Sequence, residues 1–156
     1  MNTMIEDAKE VAEELREKVT QSGGNPSEAQ DVMLMLASRV LLGDGRLERE
    51  ESAFLRALLP ETAHESVSTE AHNWSAKWDG MMGQIPEFLH AASAYDKAHD
   101  THLADHIVDH IEAIAFRAAA IAQPALVECE LAPIREYCGF LRRSVSELMG
   151  RPAVGW

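Results

Sequence analysis

The chain passes from one helical pattern to the next through Leu41-Leu42-Gly43-Asp44-Gly45-Arg46-Leu47-Glu48-Arg49-Glu50-Glu51. The stretch begins with the end of an apolar helix and continues into a tight Gly-Asp-Gly turn, because glycine accepts backbone conformations that other residues avoid. Acidic residues follow at once, as is typical of a helix start, since they interact favourably with the positive end of the helix dipole. This junction predicts two helices joined by a very short connection.

Apolar residues recur at steps of three and four along almost the whole chain, which is the period of amphipathic helices. We predict helices from Met4 to Val19, from Pro26 to about Leu42, from near Glu48 to Pro60, through Trp74 and Trp78, from Pro86 through Tyr95, from Asp100-Thr101 to Pro124, and from Ala132-Pro133 to Leu148. Asn25 is predicted to cap the second of these helices and Asp100-Thr101 the sixth. No alternating pattern of useful length predicts a strand. The sequence therefore predicts an all-α fold, one compact bundle of about six to seven helices over residues 1–149, with a short non-helical tail at 150–156.

The composition is that of a globular protein with a strong negative charge. The chain has 156 residues, of which 46% are hydrophobic, and this is enough for one domain with a sizeable core. The formal net charge of -12 repels phosphates, which argues against nucleic acid as a direct partner and favours divalent cations and basic protein surfaces. No apolar stretch reaches the ~18 residues that cross a bilayer, and the N-terminus has no signal-peptide pattern, so we expect a cytoplasmic protein.

The segment from Gly43 to Glu51 resembles the Asp-Gly-x-Leu/Ile-x-x-x-Glu junction of TerB-like domains, the tellurite-resistance B family. Members of that family are all-helical bundles of about this size, with two acidic junctions in pseudo-repeated halves. The segment from Glu128 to Glu136 is similar to the second junction, although it lacks Asp-Gly and has Arg135 where an acid is expected. The resemblance implies two pseudo-repeated halves and a non-enzymatic module that binds a protein partner in stress response or defence.

The acidic residues of these two segments form a candidate site for a divalent metal ion. The candidate ligands are Asp44, Glu48, Glu51, Glu128 and Glu130. The resemblance implies that Asp44 and Glu51 belong to the acidic cluster of the family and that Glu128 or Glu130 supplies the second contribution. Several carboxylates suit a hard divalent cation, although the spacing of an EF-hand is absent. The alternative is structural: Asp44 forms a turn, and the glutamates stabilise a helix start.

A second candidate metal site is the histidine-rich segment that contains His99, His102, His106 and His110. The last three lie at positions i, i+4 and i+8 and therefore share one stripe of the predicted helix. Imidazoles one turn apart can share a transition-metal ion, and nearby aspartates such as Asp105 can hold the outer ring N–H groups. This pattern predicts, as an alternative function, a metal-dependent helical-bundle enzyme or a metal-handling protein. The other interpretation is a solvated face of histidines and aspartates without ligands.

Signatures of other catalytic chemistry are missing from the sequence, which has no Gly-x-Ser-x-Gly elbow, phosphate-binding loop or dinucleotide fingerprint. The spacing of Cys129 and Cys138 is typical neither of a zinc site nor of a redox motif, so we expect buried thiols in a reducing compartment. Trp74 and Trp78 are expected in the core rather than on a docking surface. We therefore favour a protein that is not an enzyme. A structural subunit of a larger complex and a homo-oligomer remain open alternatives.

Overall fold

The structure is a computed structural model that describes residues 3–42, 49–59, 67–122 and 128–151. These ranges contain eight helical segments: α1 (Thr3–Gln21), α2 (Pro26–Leu41), α3 (Arg49–Ala57), α4 (Val67–Ala76), α5 (Trp78–Met81), α6 (Glu87–His99), α7 (Leu103–Ala122) and α8 (Glu128–Leu148). The short α5 is a single turn of four residues directly after α4. No strand occurs in the described ranges. The predicted all-α bundle is confirmed.

Helix α2 lies at the centre of the bundle and contacts all seven other helical segments. Every residue from Val32 to Ser38 is buried, so the helix is covered on all sides. A helix with this pattern is typical of the middle of a domain, whereas a surface helix keeps one polar face. The outer helices α1, α4, α7 and α8 lay their apolar stripes against it. The core therefore surrounds α2.

The connection from α1 to α2 follows the local sequence closely. Gly23 has a φ of +87°, and the amide of Gly24 donates to the carbonyl of Val19 at 2.9 Å, as in a Schellman cap. A Cβ atom on Gly24 would lie 2.9 Å from the Cβ atom of Phe88, so only glycine allows this approach to α6. Asn25 then caps α2, since its side chain accepts a 2.9 Å hydrogen bond from the amide of Ser27. The predicted cap is confirmed.

Two predicted boundaries are wrong. Helix α8 begins at Glu128, and Pro133 lies inside it rather than at its start. Because proline has no N–H group, the helix loses one backbone hydrogen bond there and continues through the following buried Ile134. Trp78 belongs to α5 rather than to the helix of Trp74, because the amide of Lys77 bonds to the carbonyl of Trp74 and breaks the regular ladder.

The apolar side chains that the sequence assigns to the core are buried. Both Trp74 and Trp78 are less than one-tenth exposed, in agreement with the prediction of core packing. At the C-terminus, Gly150 has a φ of +70°, and the amide of Arg151 closes α8 by donating to Ser146. Residues 152–156 of the predicted tail lie outside the described residues. Within the described ranges, no helix has both the length and the apolar character needed to cross a membrane.

Candidate functional site

The acidic junction is described only in part. Asp44 and Glu48 lie outside the described residues, whereas Glu51 is in the first turn of α3 and is 3% exposed. Glu128 and Glu130 form the first turn of α8, but their side chains are outside the description. A carboxylate in the first turn of a helix interacts favourably with the positive end of the helix dipole, which agrees with the structural interpretation of these glutamates. The metal site over the two junctions stays a prediction.

The histidine-rich segment divides between two helices and a turn. His99 ends α6 and stacks on Tyr95 with ring centroids 4.1 Å apart, whereas His102, His106 and His110 follow on or just before α7. His102 and His106 are exposed. No group of three or more His, Cys, Asp or Glu side chains that could hold a metal is found in the described parts of the chain. A histidine metal centre stays a prediction.

His110 has contacts at both ring nitrogens. Its Nδ1 atom lies 2.7 Å from the carbonyl oxygen of His106, and its Nε2 atom lies 3.1 Å from the carboxylate of Glu14 on α1. Both neighbours accept hydrogen bonds, so both nitrogens donate only when the ring is protonated. A nitrogen that donates has no lone pair for a metal. This arrangement favours a structural contact between α1 and α7.

The aspartates beside the histidines pair with two arginines, Arg142 of α8 and Arg151 just after α8. Arg142 lies 2.9 Å from Asp109 and 3.0 Å from Glu112, and Arg151 lies 3.1 Å from Asp105. Burial alone lowers the pKa of Arg142, but its hydrogen bonds with Asp109 and Glu112 and the charges of both outweigh burial and raise it. Asp109 and Glu112 therefore join α7 to α8, and Asp105 joins α7 to the residue after the C-terminal cap of α8. Asp105 is closer to arginine than to the nearest histidine nitrogen, which is that of His102 at 3.9 Å.

Asp96 is a buried carboxylate that the sequence does not single out. It lies near the end of α6, is 3% exposed, and accepts hydrogen bonds from the amides of Leu103 and Ala104 at 2.8 and 2.9 Å. The hydroxyl group of Thr101 also donates to it at 2.6 Å. The prediction that Asp100-Thr101 caps the next helix is therefore wrong, because the side chain that accepts the first amides of α7 is that of Asp96, from the preceding helix.

Glu28 performs the same task for α6. It is the third residue of α2, yet its carboxylate reaches across the bundle and accepts the amides of Glu87 and Phe88 at 3.0 and 2.8 Å. These amides belong to the first turn of α6, where backbone donors have no partner within the helix. Two acidic side chains thus stabilise helix starts to which they are not adjacent in sequence.

Two arginines donate hydrogen bonds to backbone carbonyl groups at the C-terminal ends of helices. Arg16 donates to the carbonyl oxygen of Leu58 at 2.9 Å, just after α3. Arg39 donates to the carbonyl oxygen of Ser75 at 3.3 Å and lies 4.9 Å from the ring centroid of Trp78, a cation–π contact. A positive charge at the C-terminus of a helix interacts favourably with the negative end of the helix dipole. These side chains therefore serve the fold.

The Cys138 side chain is fully buried in α8. Burial raises the pKa of its thiol to about 12, Glu112 contributes in the same direction, and Arg142 opposes them. A thiol of this kind stays protonated at neutral pH and is a poor nucleophile. The expectation of a buried thiol is confirmed for Cys138, whereas the side chain of Cys129 lies outside the described residues.

The exposed side of α1 carries an acidic stripe, which we call the α1 face. It consists of Glu6, Glu10, Glu13 and Glu17, all exposed and spaced by four, three and four residues. That spacing places the four carboxylates in one row along the helix. Two shallow grooves, with volumes of about 510 and 570 Å³, run beside this row. The negative charge of the chain is evident from its composition, whereas this row of carboxylates was not predicted.

A smaller cavity lies where α2, α5 and α8 meet the start of α6. We call it the Tyr137 cavity; it has a volume of about 340 Å³ and is lined by Glu28, Asp31, Met81, Ile85, Glu87 and Tyr137, among others. Its walls mix aliphatic side chains with carboxylates. The Tyr137 ring packs against Trp78 with centroids 5.9 Å apart. No local signal in the sequence points to this cavity, because its lining comes from three distant stretches of the chain, 28–32, 80–87 and Tyr137.

Comparisons with protein-family models, with curated proteins and with solved structures found no match to this chain. The resemblance to TerB-like domains therefore stays a prediction that rests on the two short acidic segments.

Proposed function

We propose that this protein is a non-enzymatic, TerB-like helical module that binds a protein partner with a basic surface. The observation that carries the proposal is the α1 face. Its row of glutamates runs along most of α1, and two grooves beside it could accommodate side chains of a partner. The neighbouring carboxylates of such a row repel one another, and a positively charged surface that binds to the row relieves this repulsion.

The distribution of the other charged groups supports a binding role. Asp96 and Glu28 cap helices, while Asp105, Asp109 and Glu112 pair with arginines. These groups are held in place by the fold. The glutamates of the α1 face, in contrast, lie on the solvent side of a helix whose opposite side is fully buried. These four carboxylates form one exposed row, and this row is the surface on which the proposed contact with a basic partner rests.

A divalent ion at the Asp44 junction is the second part of the proposal. In this view the carboxylates around Asp44 hold the ion and fix the connection between α2 and α3. The support is the local sequence and the position of Glu51 in the first turn of α3. The alternative of metal chemistry at the histidine-rich segment has less support, because the ring nitrogens of His110 contact two hydrogen-bond acceptors.

Matched charge removal tests the role of the α1 face. The variant Glu10→Gln/Glu13→Gln removes two charges from the row, and Glu136→Gln/Glu147→Gln removes two exposed charges from α8. We expect a partner that co-purifies in fixed stoichiometry from the native cell to be lost from the first variant and retained by the second. Equal recovery with both variants would contradict the proposal. Loss at elevated salt is expected for a contact between exposed charges.

A further inference from the structure

The pair Asp79-Gly80 places a carboxylate next to a backbone amide that no side chain shields. Both residues are exposed, and the Asp79 side chain makes no hydrogen bond or ion pair among the described residues. A Cβ atom at Gly80 would have no neighbour within 4 Å, so the space beside its amide is open. The carboxylate of Asp79 is therefore free to turn towards the nitrogen of Gly80.

The helical turn that contains this pair is weakly held. Helix α5 has only four residues, and its N-cap residue, Lys77, makes no capping hydrogen bond through its side chain. The amide of Gly80 donates to the carbonyl oxygen of Lys77 at 3.1 Å, three rather than four residues back. Glycine lowers the stability of a helix, and a single turn has few hydrogen bonds to offset the cost of ordering its backbone. We therefore expect the Gly80 amide to lose this hydrogen bond when the turn frays.

An aspartate that is followed by glycine can rearrange without an enzyme or a cofactor. The backbone nitrogen of the glycine attacks the Cγ atom of the protonated side-chain carboxyl group. A new N–Cγ bond forms, and the hydroxyl group leaves as water with the amide hydrogen, which gives a succinimide ring. Hydrolysis at the main-chain carbonyl carbon then breaks the original C–N bond and returns the water. The product is isoaspartate, and the mass of the chain is unchanged.

We propose that Asp79 is a modification site at which isoaspartate forms spontaneously as the folded protein ages. Glycine at the next position is essential, because a Cβ atom there hinders the approach of the nitrogen to the carboxyl group. Every other described aspartate precedes a residue that has a side chain, and the second Asp-Gly pair, Asp44-Gly45, lies outside the described residues. The proposal concerns α5 and is independent of the contact made by the α1 face.

Isoaspartate at this position would disturb the packing of Trp78. The product chain runs through the side-chain methylene group of residue 79, so one extra carbon atom enters the backbone of α5. The amide of Met82, which donates to the carbonyl oxygen of Trp78 at 2.7 Å, then no longer keeps its position. Trp78 packs against Tyr137 with ring centroids 5.9 Å apart. The modification is therefore expected to loosen a contact of the core.

The test is incubation of the full chain for several weeks at physiological temperature and pH, followed by peptide mapping. Electron-transfer fragmentation distinguishes isoaspartate from aspartate, and an isoaspartate-specific carboxyl methyltransferase with labelled S-adenosylmethionine provides a second readout. We expect at least about tenfold more isoaspartate at Asp79 than at Asp31 or Asp105, which precede valine and histidine. No accumulation at Asp79, or equal accumulation at the three positions, would overturn the inference.

Two variants test whether the Gly80 amide is the attacking group. Gly80→Ala adds a Cβ atom in open space, so it should fold, and we expect isoaspartate at Asp79 to fall to the level at Asp31. Asp79→Asn keeps the glycine and forms the same succinimide with loss of ammonia. We expect this variant to convert to aspartate and isoaspartate faster than the original chain rearranges. Isoaspartate that persists in Gly80→Ala, or an unreactive Asp79→Asn, would contradict the proposal.

The structural consequence is measured on the isoaspartate form after its chromatographic separation from the unmodified chain. We expect its melting temperature to be about 2–4 °C lower, because the turn that carries Trp78 is disrupted. Equal melting temperatures of the two forms would contradict the link between α5 and the packing of Trp78. No residue of the α1 face takes part in these measurements, so their outcome and that of the proposed function are separate.

Discussion

The carboxylate of Asp96 accepts a hydrogen bond of 2.8 Å from the backbone amide of Leu103, across the turn that joins α6 to α7. It therefore satisfies donors at the start of a helix that forms much of the core around α2. The group that makes this contact is almost completely buried. A buried carboxylate is favourable only when hydrogen bonds compensate for its lost hydration, and here the amide of Ala104 and the hydroxyl of Thr101 complete that compensation.

Removal of the Asp96 cap is expected to be strongly destabilising. In Asp96→Ala, the amides of Leu103 and Ala104 lose their acceptors in a buried place, and we expect a loss of about 2–4 kcal/mol in the free energy of unfolding. Urea denaturation followed by circular dichroism measures this change. The control is Asp79→Ala at an exposed position, for which we expect a change within about 0.5 kcal/mol. Similar losses in both variants would contradict the role of Asp96.

Asp100 offers a stabilising substitution. Its φ of 54° places it in the left-handed region at the end of α6, where glycine is the usual residue. We expect Asp100→Gly to raise the free energy of unfolding by about 0.5–1 kcal/mol, because glycine adopts this conformation without strain. The melting temperature should rise by about 2–4 °C. An unchanged or lower melting temperature would contradict the assignment of strain to Asp100.

The opposite substitution, Gly23→Ala, is the control for Asp100→Gly. The φ of +87° at Gly23 is also in the left-handed region, and no atom lies near the place of an added Cβ, so the effect of Gly23→Ala is confined to the backbone. We expect this variant to lose about 1 kcal/mol. The opposite signs of the two substitutions separate backbone strain from side-chain contacts.

The buried thiol of Cys138 makes stability dependent on pH at the alkaline end. Its pKa is about 12 in the folded protein, against an ordinary value of 9.0. Above pH 9 the unfolded chain loses this proton and the folded chain keeps it, so the free energy of unfolding falls as the pH rises. The largest slope is about 1.4 kcal/mol per pH unit for one group. Tyr137, whose phenol pKa is also raised by burial, contributes in the same direction at higher pH.

Denaturation at pH 8, 9 and 10 tests this dependence in the original chain and in Cys138→Ala. We expect the variant to be less stable at pH 8, because it loses buried volume, but to lose less stability between pH 9 and pH 10. Groups that titrate in both proteins cancel in the comparison. Parallel curves would show that the Cys138 thiol is not protected from ionisation.

Metal binding at the Asp44 junction predicts stabilisation by a divalent ion. At an ion concentration of about 100 times the dissociation constant, the free energy of unfolding should increase by about 2.7 kcal/mol and the melting temperature by about 5–10 °C. Calcium and zinc are tested separately after treatment with a chelator. Asp44→Asn should abolish the shift, whereas His106→Ala should leave it unchanged. A shift that disappears only in His106→Ala would instead support the alternative metal site in the histidine-rich segment.

The sequence predicts the local features of this fold well. Amphipathic periodicity identifies α1 and α7, and the Asn25-Pro26 pair predicts the start of α2, because these signals depend on neighbouring residues. The contact between Glu28 and Phe88 spans 60 residues, and no local pattern specifies it. Asp96 and Asp100 are both aspartates near one helix end, yet only packing decides that the first is buried and the second exposed.

The candidate site shows the same division. The histidine spacing correctly places His106 and His110 on α7, whereas His102 lies just before this helix. The arginine partners of the neighbouring aspartates come from α8 and from the residues after it, and the spacing could not predict them. The composition shows that the chain is strongly acidic. Which acidic side chains cap helices, which form ion pairs and which lie on the α1 face depends on how the helices pack together. The Tyr137 cavity is formed by three distant stretches of the chain, so only the three-dimensional structure reveals it.

The α1 face is tested most directly by site-specific photo-cross-linking in the cell that makes the protein. A photoreactive residue replaces Glu10 on α1 or, as a control, the exposed Glu136 on α8. We predict one dominant product with a different protein at position 10 and little product at position 136. The first product should be lost when Glu13 and Glu17 are changed to lysine. Equal products at both positions, or a product at position 10 that persists after this charge reversal, would contradict it.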